Sequence, residues 1–304
     1  IEEVDDRNTM LMNLMSEDEL SPSLLAYKNF FHREESLGLE EGCDLYIELL
    51  RQYGCGQFAS NVFFYLDRAD SLVAVEDFSP LSWAHIYDYE TQKEQLFKNT
   101  KALVEGRPFH HSLLVGASGT GKSSSVKAVV DHFSHQQLRL IQLYKGQLRS
   151  LPQLLKTLSK SMFKFVLFID DLSFEVNEDD YKLLKSYIEG GIVNEATNIA
   201  FYVTSKRQHL IKEIRSDREG DIHLQDFIQE MTSLSRRFGL RLTYEKLQQK
   251  DYFEMIAKML EDEGIAFQRA SMEVEARQWS LRHSGMSGRI ANQFVKQLQM
   301  NPTP

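Results

Sequence analysis

The chain has 304 residues, 42% of them hydrophobic and 11% aromatic, which supplies a sizeable core and excludes global disorder. Its net charge of −9, from 35 basic and 44 acidic side chains, excludes a general electrostatic pull toward nucleic acid or anionic membrane. Two cysteines, Cys43 and Cys55, make no disulfide framework, and no apolar run reaches the roughly 18–20 residues of a membrane span.

The first ten residues, "IEEVDDRNTM", are acidic and carry no basic or apolar signal region, so a cytoplasmic protein with reduced thiols is expected. At about 100–200 residues per domain, the length implies two domains, or one large domain with appendages. Residues 1–80 read as an N-terminal helical domain. "SPSLLAYKNFFHREES" and "LYIELLRQYGCGQFASNVFFYL" carry apolar residues three and four apart. "EDFSP" then breaks the pattern, with Pro80 marking the boundary.

Over residues 81–247 short apolar strands alternate with helices. "HSLLVGA" reads as a strand and "KSSSVKAVVDHF" as the helix after it. "LRLIQLYK" is a second strand, followed by the amphipathic helix "LPQLLKTLSK". "FKFVLFID" and "NIAFYVTS" are nearly continuous apolar runs, as expected of strands covered on both faces of a parallel sheet. "DYKLLKSYIEGG" and "LQDFIQEMTSLSRRF" read as helices, and "GLRLTY" as the last strand. This alternation predicts a parallel α/β domain. Over 248–304 strands vanish, and "QQKDYFEMIAKMLEDEGI", "SMEVEARQWSLRHS" and "SGRIANQFVKQLQM" predict three consecutive helices.

Between the first strand of the α/β region and its helix stands "GASGTGKSSS". It fits G-x-x-x-x-G-K-[ST] at Gly116, Ala117, Ser118, Gly119, Thr120, Gly121, Lys122 and Ser123, with Ser124 in the following turn. Glycines let the backbone curl tightly enough for its N–H groups to surround phosphate oxygens. The helix that follows turns its positive dipole end to the same place. Lys122 supplies a point charge for the β- and γ-phosphates of ATP, and the Ser123 hydroxyl suits Mg²⁺.

"FVLFIDD" ends a buried strand in Asp170 and Asp171. Ligands of parallel sheets gather beyond the carboxyl ends of the strands, so this end is expected near the glycine loop. Asp170 is placed to hold Mg²⁺, and Asp171 to orient the attacking water. Thr204 and Ser205 end the next strand, where hydroxyls reach either the γ-phosphate or nothing but their own strand end. Arg236 and Arg237 close a helix, which the dipole alone explains. Arg289 opens the last helix against the dipole, which points to a nearby anion. Tyr87 and Tyr89 in "IYDY" admit two readings, core aromatics or an adenine-stacking surface.

The pair "GASGTGKS" and "FVLFIDD" resembles the Walker A and Walker B motifs of AAA+-type P-loop ATPases. A closer resemblance is to a bacterial AAA+-like ATP-binding family catalogued as a domain of unknown function. It is carried by "YETQKEQLFKNT", "FVLFIDDLSFE", "YKLLKSYIEGG", "SLSRRFGLRL" and "SGRIANQFV". The resemblance implies a P-loop NTPase αβα sandwich with a C-terminal helical lid, nucleotide lying between lid and sheet, and a homo-oligomer. By position it implies a polar sensor at Thr204 and Ser205. It further implies a sensor arginine at Arg289, an adenine contact in "IYDY", and an arginine finger at Arg237 or its neighbour Arg236, offered to the next subunit. Two departures stand out. The glutamate usual after the Walker B aspartate is Asp171 here, with Glu175 an alternative for its role. An asparagine expected in the family-like "TSNR" is Lys206.

The expected activity is therefore Mg²⁺-dependent ATP hydrolysis, coupled to remodelling or loading of a protein or nucleic-acid client. The alternative is a slow switch or adaptor that binds ATP and recruits a partner. A small-molecule kinase fits less well, because the chain offers lid helices and paired arginines in place of an acceptor pocket. "SKRQHLIKEIR" is the one basic cluster that bears on nucleic acid, and a charged loop is its commoner meaning.

Overall fold

Near-continuous apolar runs become the centre of a seven-stranded sheet. The computed structural model describes residues 25, 26, 29, 43–49, 56–76, 78, 82–174, 180–188, 197–206, 210, 222–283 and 285–300. Its strands are β1 (Phe63–Leu66), β2 (Leu72–Ala74), β3 (Ser112–Gly116), β4 (Leu138–Leu143), β5 (Lys164–Ile169), β6 (Ile199–Ser205) and β7 (Leu240–Tyr244). They lie in the order β2-β1-β4-β5-β6-β3-β7, parallel throughout except for the antiparallel β1–β2 pair at one edge. All seven residues of β6 are buried, as are the last five of β5, because helices cover both faces.

Alternate side chains of each strand feed the two apolar layers. Phe165, Leu167 and Ile169 of β5 pack beneath α4 (Leu151–Leu158), α5 (Asp180–Ile188) and α6 (Ile222–Arg237). Val166 and Phe168 point the other way, to α2 (Glu90–Val104) and α3 (Lys122–His132). This is the parallel α/β domain that the alternation predicts, layered as the αβα sandwich that the resemblance implies. After β7 come α7 (Gln249–Asp262), α8 (Arg269–Arg282) and α9 (Gly288–Met300). They enclose a smaller core of their own around Tyr252, Ile256, Leu260, Met272 and Phe294. Among the described residues, no helix is long and apolar enough to cross a membrane.

The helical reading of the N-terminal region holds at residues 43–49 and fails at its end. Most of residues 1–55 lies outside the described residues. A short helix α1 (Gln57–Ser60) follows Gly56 in the left-handed region (φ 68), and the chain is extended by Asn61. "FFYL" then forms β1, which pairs with β4 in the register Phe64↔Ile141. Aromatic side chains favour a pleated, half-buried surface, and here that preference overrides the helix-like spacing. Asp67 makes the turn into β2, its carboxylate accepting from the N–H groups of Ala69 at 2.8 Å and Ser71 at 2.9 Å. Residues 63–74 therefore extend the sheet instead of belonging to a helical unit.

Candidate functional site

The glycine loop joins β3 to α3, and its geometry depends on three glycines with positive φ: Gly116 (155°), Gly119 (80°) and Gly121 (90°). At Gly116 a Cβ would stand 2.1 Å from the Tyr244 carbonyl oxygen, so only glycine lets β3 leave the sheet there beside β7. Gly121 caps α3 with no side-chain hydrogen bond. The first-turn N–H groups of α3 therefore face the loop mouth. Thr120 braces the loop by donating its hydroxyl to the Ala117 carbonyl at 2.9 Å.

Lys122 is only 8% exposed. Its ammonium donates to the carbonyls of Gly116 at 2.7 Å and Ala117 at 2.6 Å, which centres the charge in the loop. Burial pushes its pKa below the usual lysine value, while the Asp170 and Asp171 carboxylates oppose that shift and Lys206 adds to it.

Register explains how the carboxylates arrive. β6 lies between β3 and β5, with Val115↔Ser205 on one side and Ile169↔Val203 on the other. Thr204 thus stands between the loop and Asp170. The Ser123 hydroxyl donates to Asp170 Oδ1 at 2.6 Å, and the Thr204 hydroxyl donates to the same oxygen at 2.5 Å. Thr204 Oγ1 also accepts the Asp171 N–H at 2.8 Å. Asp171 sits in the left-handed region (φ 54), which turns its side chain away from the strand. There it meets Lys206, with Nζ 2.5 Å from Oδ2. Ser205 points inward, donating to the Leu172 carbonyl at 2.9 Å, so it serves the strand end and not the cavity.

The cavity over this loop has a volume of about 600 Å³. Ser118, Gly119, Thr120, Gly121, Lys122, Ser123 and Ser124 line it, together with Asp170, Asp171, Thr204, Lys206 and Arg289. Gly116 and Ala117 lie behind the loop and shape it from there. Arg289 reaches the cavity because α9 begins on the loop itself, the Arg289 N–H donating to the Gly119 carbonyl at 3.4 Å. A Cβ at Gly119 would come within 2.9 Å of Ser287 Oγ, so loop and lid meet closely. Ile86, Tyr87, Met255 and Met259 add less polar side chains to the lining.

The two tyrosines part company. Tyr87 lines the cavity, and its hydroxyl donates to Asp262 Oδ2 at 2.5 Å, a bond that with burial raises its pKa. Tyr89 does not line it: its ring packs 4.8 Å from that of Tyr244 and its hydroxyl donates to the Glu245 carbonyl. Arg236 and Arg237 are exposed at the end of α6, at the opposite, amino-terminal edge of the sheet, where Arg237 lies beside His111 and Phe201. Neither lines the cavity of its own chain. Glu175 lies outside the described residues. Sequence reasoning missed Lys206 as a partner of Asp171, although its departure from "TSNR" was the signal. Met255 and Met259 gave none, since helix periodicity cannot tell a lid's inner face from its core.

Ser123 and Asp170 are hard oxygen donors brought to one point. No cluster of three or more His, Cys, Asp or Glu side chains capable of holding a metal occurs among the described residues. That donor set fits Mg²⁺, which binds through one or two protein oxygens, waters and phosphates instead of an all-protein cage.

A family model described as "Protein of unknown function (DUF815)" matches residues 59–301. The chain belongs to this family. The matched span begins just before β1, so the edge hairpin falls inside it along with the loop, the carboxylates and the lid. No curated protein matches the chain. Among solved structures, the Thermotoga maritima RuvB Holliday junction branch migration motor aligns at TM-score 0.50 and 19% identity, over 73% of this chain and 65% of that one. A point mutant of the same motor aligns at 0.51 and 20%, over 73% and 66%. The FIGL-1 AAA domain in complex with ADP aligns at 0.47 and 18%, over 74% and 75%. The chain thus spans just under two thirds of the RuvB structures' length. At this identity the RuvB likeness is one of fold, an AAA+-type P-loop architecture.

Proposed function

We propose that the chain is a Mg²⁺-dependent ATPase of the AAA+ type, working as a homo-oligomer and coupling ATP binding and hydrolysis to the remodelling or loading of a macromolecular client. The observation that carries the reading is the 2.6 Å bond between Ser123 and Asp170, at the mouth of a glycine loop whose centre is occupied by the Lys122 ammonium. A nucleoside triphosphate laid along the loop has its phosphates among the α3 N–H groups and Lys122. Its ring then lies toward Ile86, Tyr87 and Met259.

Ser123 and Asp170 would hold Mg²⁺, which supplies charge neutralisation at the β- and γ-phosphates. Asp171 holds a water and receives its proton as the water oxygen bonds to the γ-phosphorus. The bond from that phosphorus to the bridging oxygen breaks, its electron pair leaves on ADP, and inorganic phosphate is released. Arg289 offsets the charge from the lid side, and Arg237, or Arg236, does so from a neighbouring copy.

The ion pair between Lys206 and Asp171 favours a second reading, a slow switch or adaptor. A carboxylate oxygen engaged by an ammonium is not free to hold the attacking water. ATP turnover per protomer, measured across protein concentrations with Lys122→Ala as the blank, decides between them. The ATPase reading expects a rate that climbs with concentration and vanishes in the variant. A flat rate near the blank, with ATP bound, selects the switch; absence of ATP binding to the wild type removes both.

A further inference from the structure

A second cavity, of about 510 Å³, lies at the other end of the sheet. Of its lining, only Arg237 has a part in the ATPase proposed above. It is built where β3, β6 and β7 begin, with Ser112 level with Leu240 on one side and Tyr202 on the other. One wall is firmly held. Asn99, only 9% exposed, grips the backbone of His110, donating to its carbonyl and accepting from its N–H at 2.8 Å each. The His110 ring packs on Gly239 so closely that a Cβ there would come within 2.3 Å of Nδ1. Beside it, His111 Nδ1 accepts the Phe201 N–H. The cavity is therefore preformed.

Its lining is of two kinds. The rings of Phe109, His111 and Phe201 meet edge-on in succession, with centroids 6.4 and 5.2 Å apart, and Leu155 and Ile188 add further apolar surface. Arg107, His110 and Arg237 are the basic members, and no Asp or Glu lines the cavity among the described residues. Glu105, which does not line it, pairs with Arg107, but both side chains are more than a third exposed and such pairs hold weakly. A chain of net charge −9 thus gathers cations here around an apolar surface. Preformed cavities of this size, with an apolar body and a few convergent polar groups, take small organic ligands. Guanidinium groups select carboxylates among them, through paired N–H donors.

We propose that this cavity binds a small organic anion, a carboxylate on an apolar or aromatic body, and that the bound anion holds Arg237 within its own chain. Held there, Arg237 is withdrawn from the neighbouring copy, and ATP turnover falls. The binding stands by itself, whereas its effect on turnover rests on the ATPase reading above.

The test titrates acetate, octanoate, 3-phenylpropionate and the uncharged 3-phenylpropanamide into the full chain. Binding is followed by ligand-observed NMR at saturating ADP and Mg²⁺, which keeps the probes out of the nucleotide cavity. Octanoate or 3-phenylpropionate is expected to bind with a Kd on the order of 1 mM or tighter, and acetate and the amide at least about tenfold more weakly. Arg237→Gln should weaken the binding roughly tenfold, the loss of one charge-assisted hydrogen bond. The bound acid lowers kcat for ATP at unchanged KM. Arg107→Gln keeps the uninhibited rate and needs more acid for the same inhibition. Equal binding of 3-phenylpropionate and its amide, binding unchanged in Arg237→Gln, or no binding of either longer acid below about 10 mM overturns the site. Binding that follows Arg237 while kcat stays level overturns the withdrawal of Arg237. If the chain hydrolyses no ATP, the ATPase reading falls and the binding data still decide the cavity.

Discussion

His111, just before β3, takes a form that only its neutral ring can hold. Its Nδ1 accepts the Phe201 N–H at 3.2 Å, and its ring stands edge-on to that of Phe201 at 5.2 Å. Burial, with a smaller contribution from His110, pushes its pKa down from 6.5 to about 4. Between those values the unfolded chain binds a proton that the folded chain refuses, so stability rises with pH across that window. The contribution is complete above pH 6.5 and is lost as pH falls toward 4, by up to about 3 kcal/mol. His111→Gln keeps an acceptor for the Phe201 N–H and removes the titration. Urea unfolding from pH 7 to 4.5 should therefore lose stability more steeply in the wild type than in the variant, and parallel curves would refute the assignment. At this scale the glycine loop was legible because its fold follows from the backbone freedom of its own glycines. Tyr89 was not, since its role is set by Tyr244 and Glu245, far along the chain. The same limit hid the Lys206 contact with Asp171, which exists only once β5 and β6 lie side by side.

Elements were legible wherever periodicity had no competitor. The buried runs at β3, β5 and β6, the helices between them and the three lid helices follow directly from the apolar pattern. "NVFFYL" failed because aromatic residues satisfied a helical spacing and a strand preference together, and only pairing with β4 decides between them. Arg139 on β4 shows how that edge is secured. Its buried guanidinium donates to the carbonyls of Phe58, Ser134 and Leu138, drawing α1 against the sheet. The loop tests element geometry most sharply, because two of its glycines are required for different reasons. At Gly121 nothing lies within 4 Å of an added Cβ, so Gly121→Ala meets only the left-handed backbone, a cost of about 1–2 kcal/mol. At Gly116 the added carbon meets the Tyr244 carbonyl, which is backbone and cannot rotate away. β3 and β7 must part to admit it, so Gly116→Ala should lose about 3 kcal/mol or more. Guanidinium unfolding of the two variants checks the order, and equal losses would mean that β7 yields without cost.

Across the whole molecule the groups assigned to one reaction lie at opposite ends of the sheet. The loop, Asp170, Asp171 and the lid gather beyond the carboxyl ends of the strands, while Arg236 and Arg237 lie at the amino-terminal edge near Ser112 and Leu240. No local pattern announces such a separation, since it depends on the direction in which β3 and β7 run. On the reading proposed above, an arginine so placed completes the site of a neighbouring copy, and the contact between copies is head-to-tail. Arg237→Ala alone should reduce turnover on the order of 10³-fold, the value of a finger supplied in trans. Lys122→Ala alone should be inactive for a different reason, because its own loop no longer holds the phosphates while its arginine remains. Mixing the two inactive variants pairs intact loops with intact arginines. Random mixing should then restore roughly a quarter of the wild-type rate, since half the loops and half the arginines are intact. The rate of the mixture, compared with each variant alone at equal total protein, is the measurement. Recovery places the arginine in the neighbour's site. A mixture no faster than the sum of its parts removes Arg237 from catalysis in trans and leaves it as a cation beside His111.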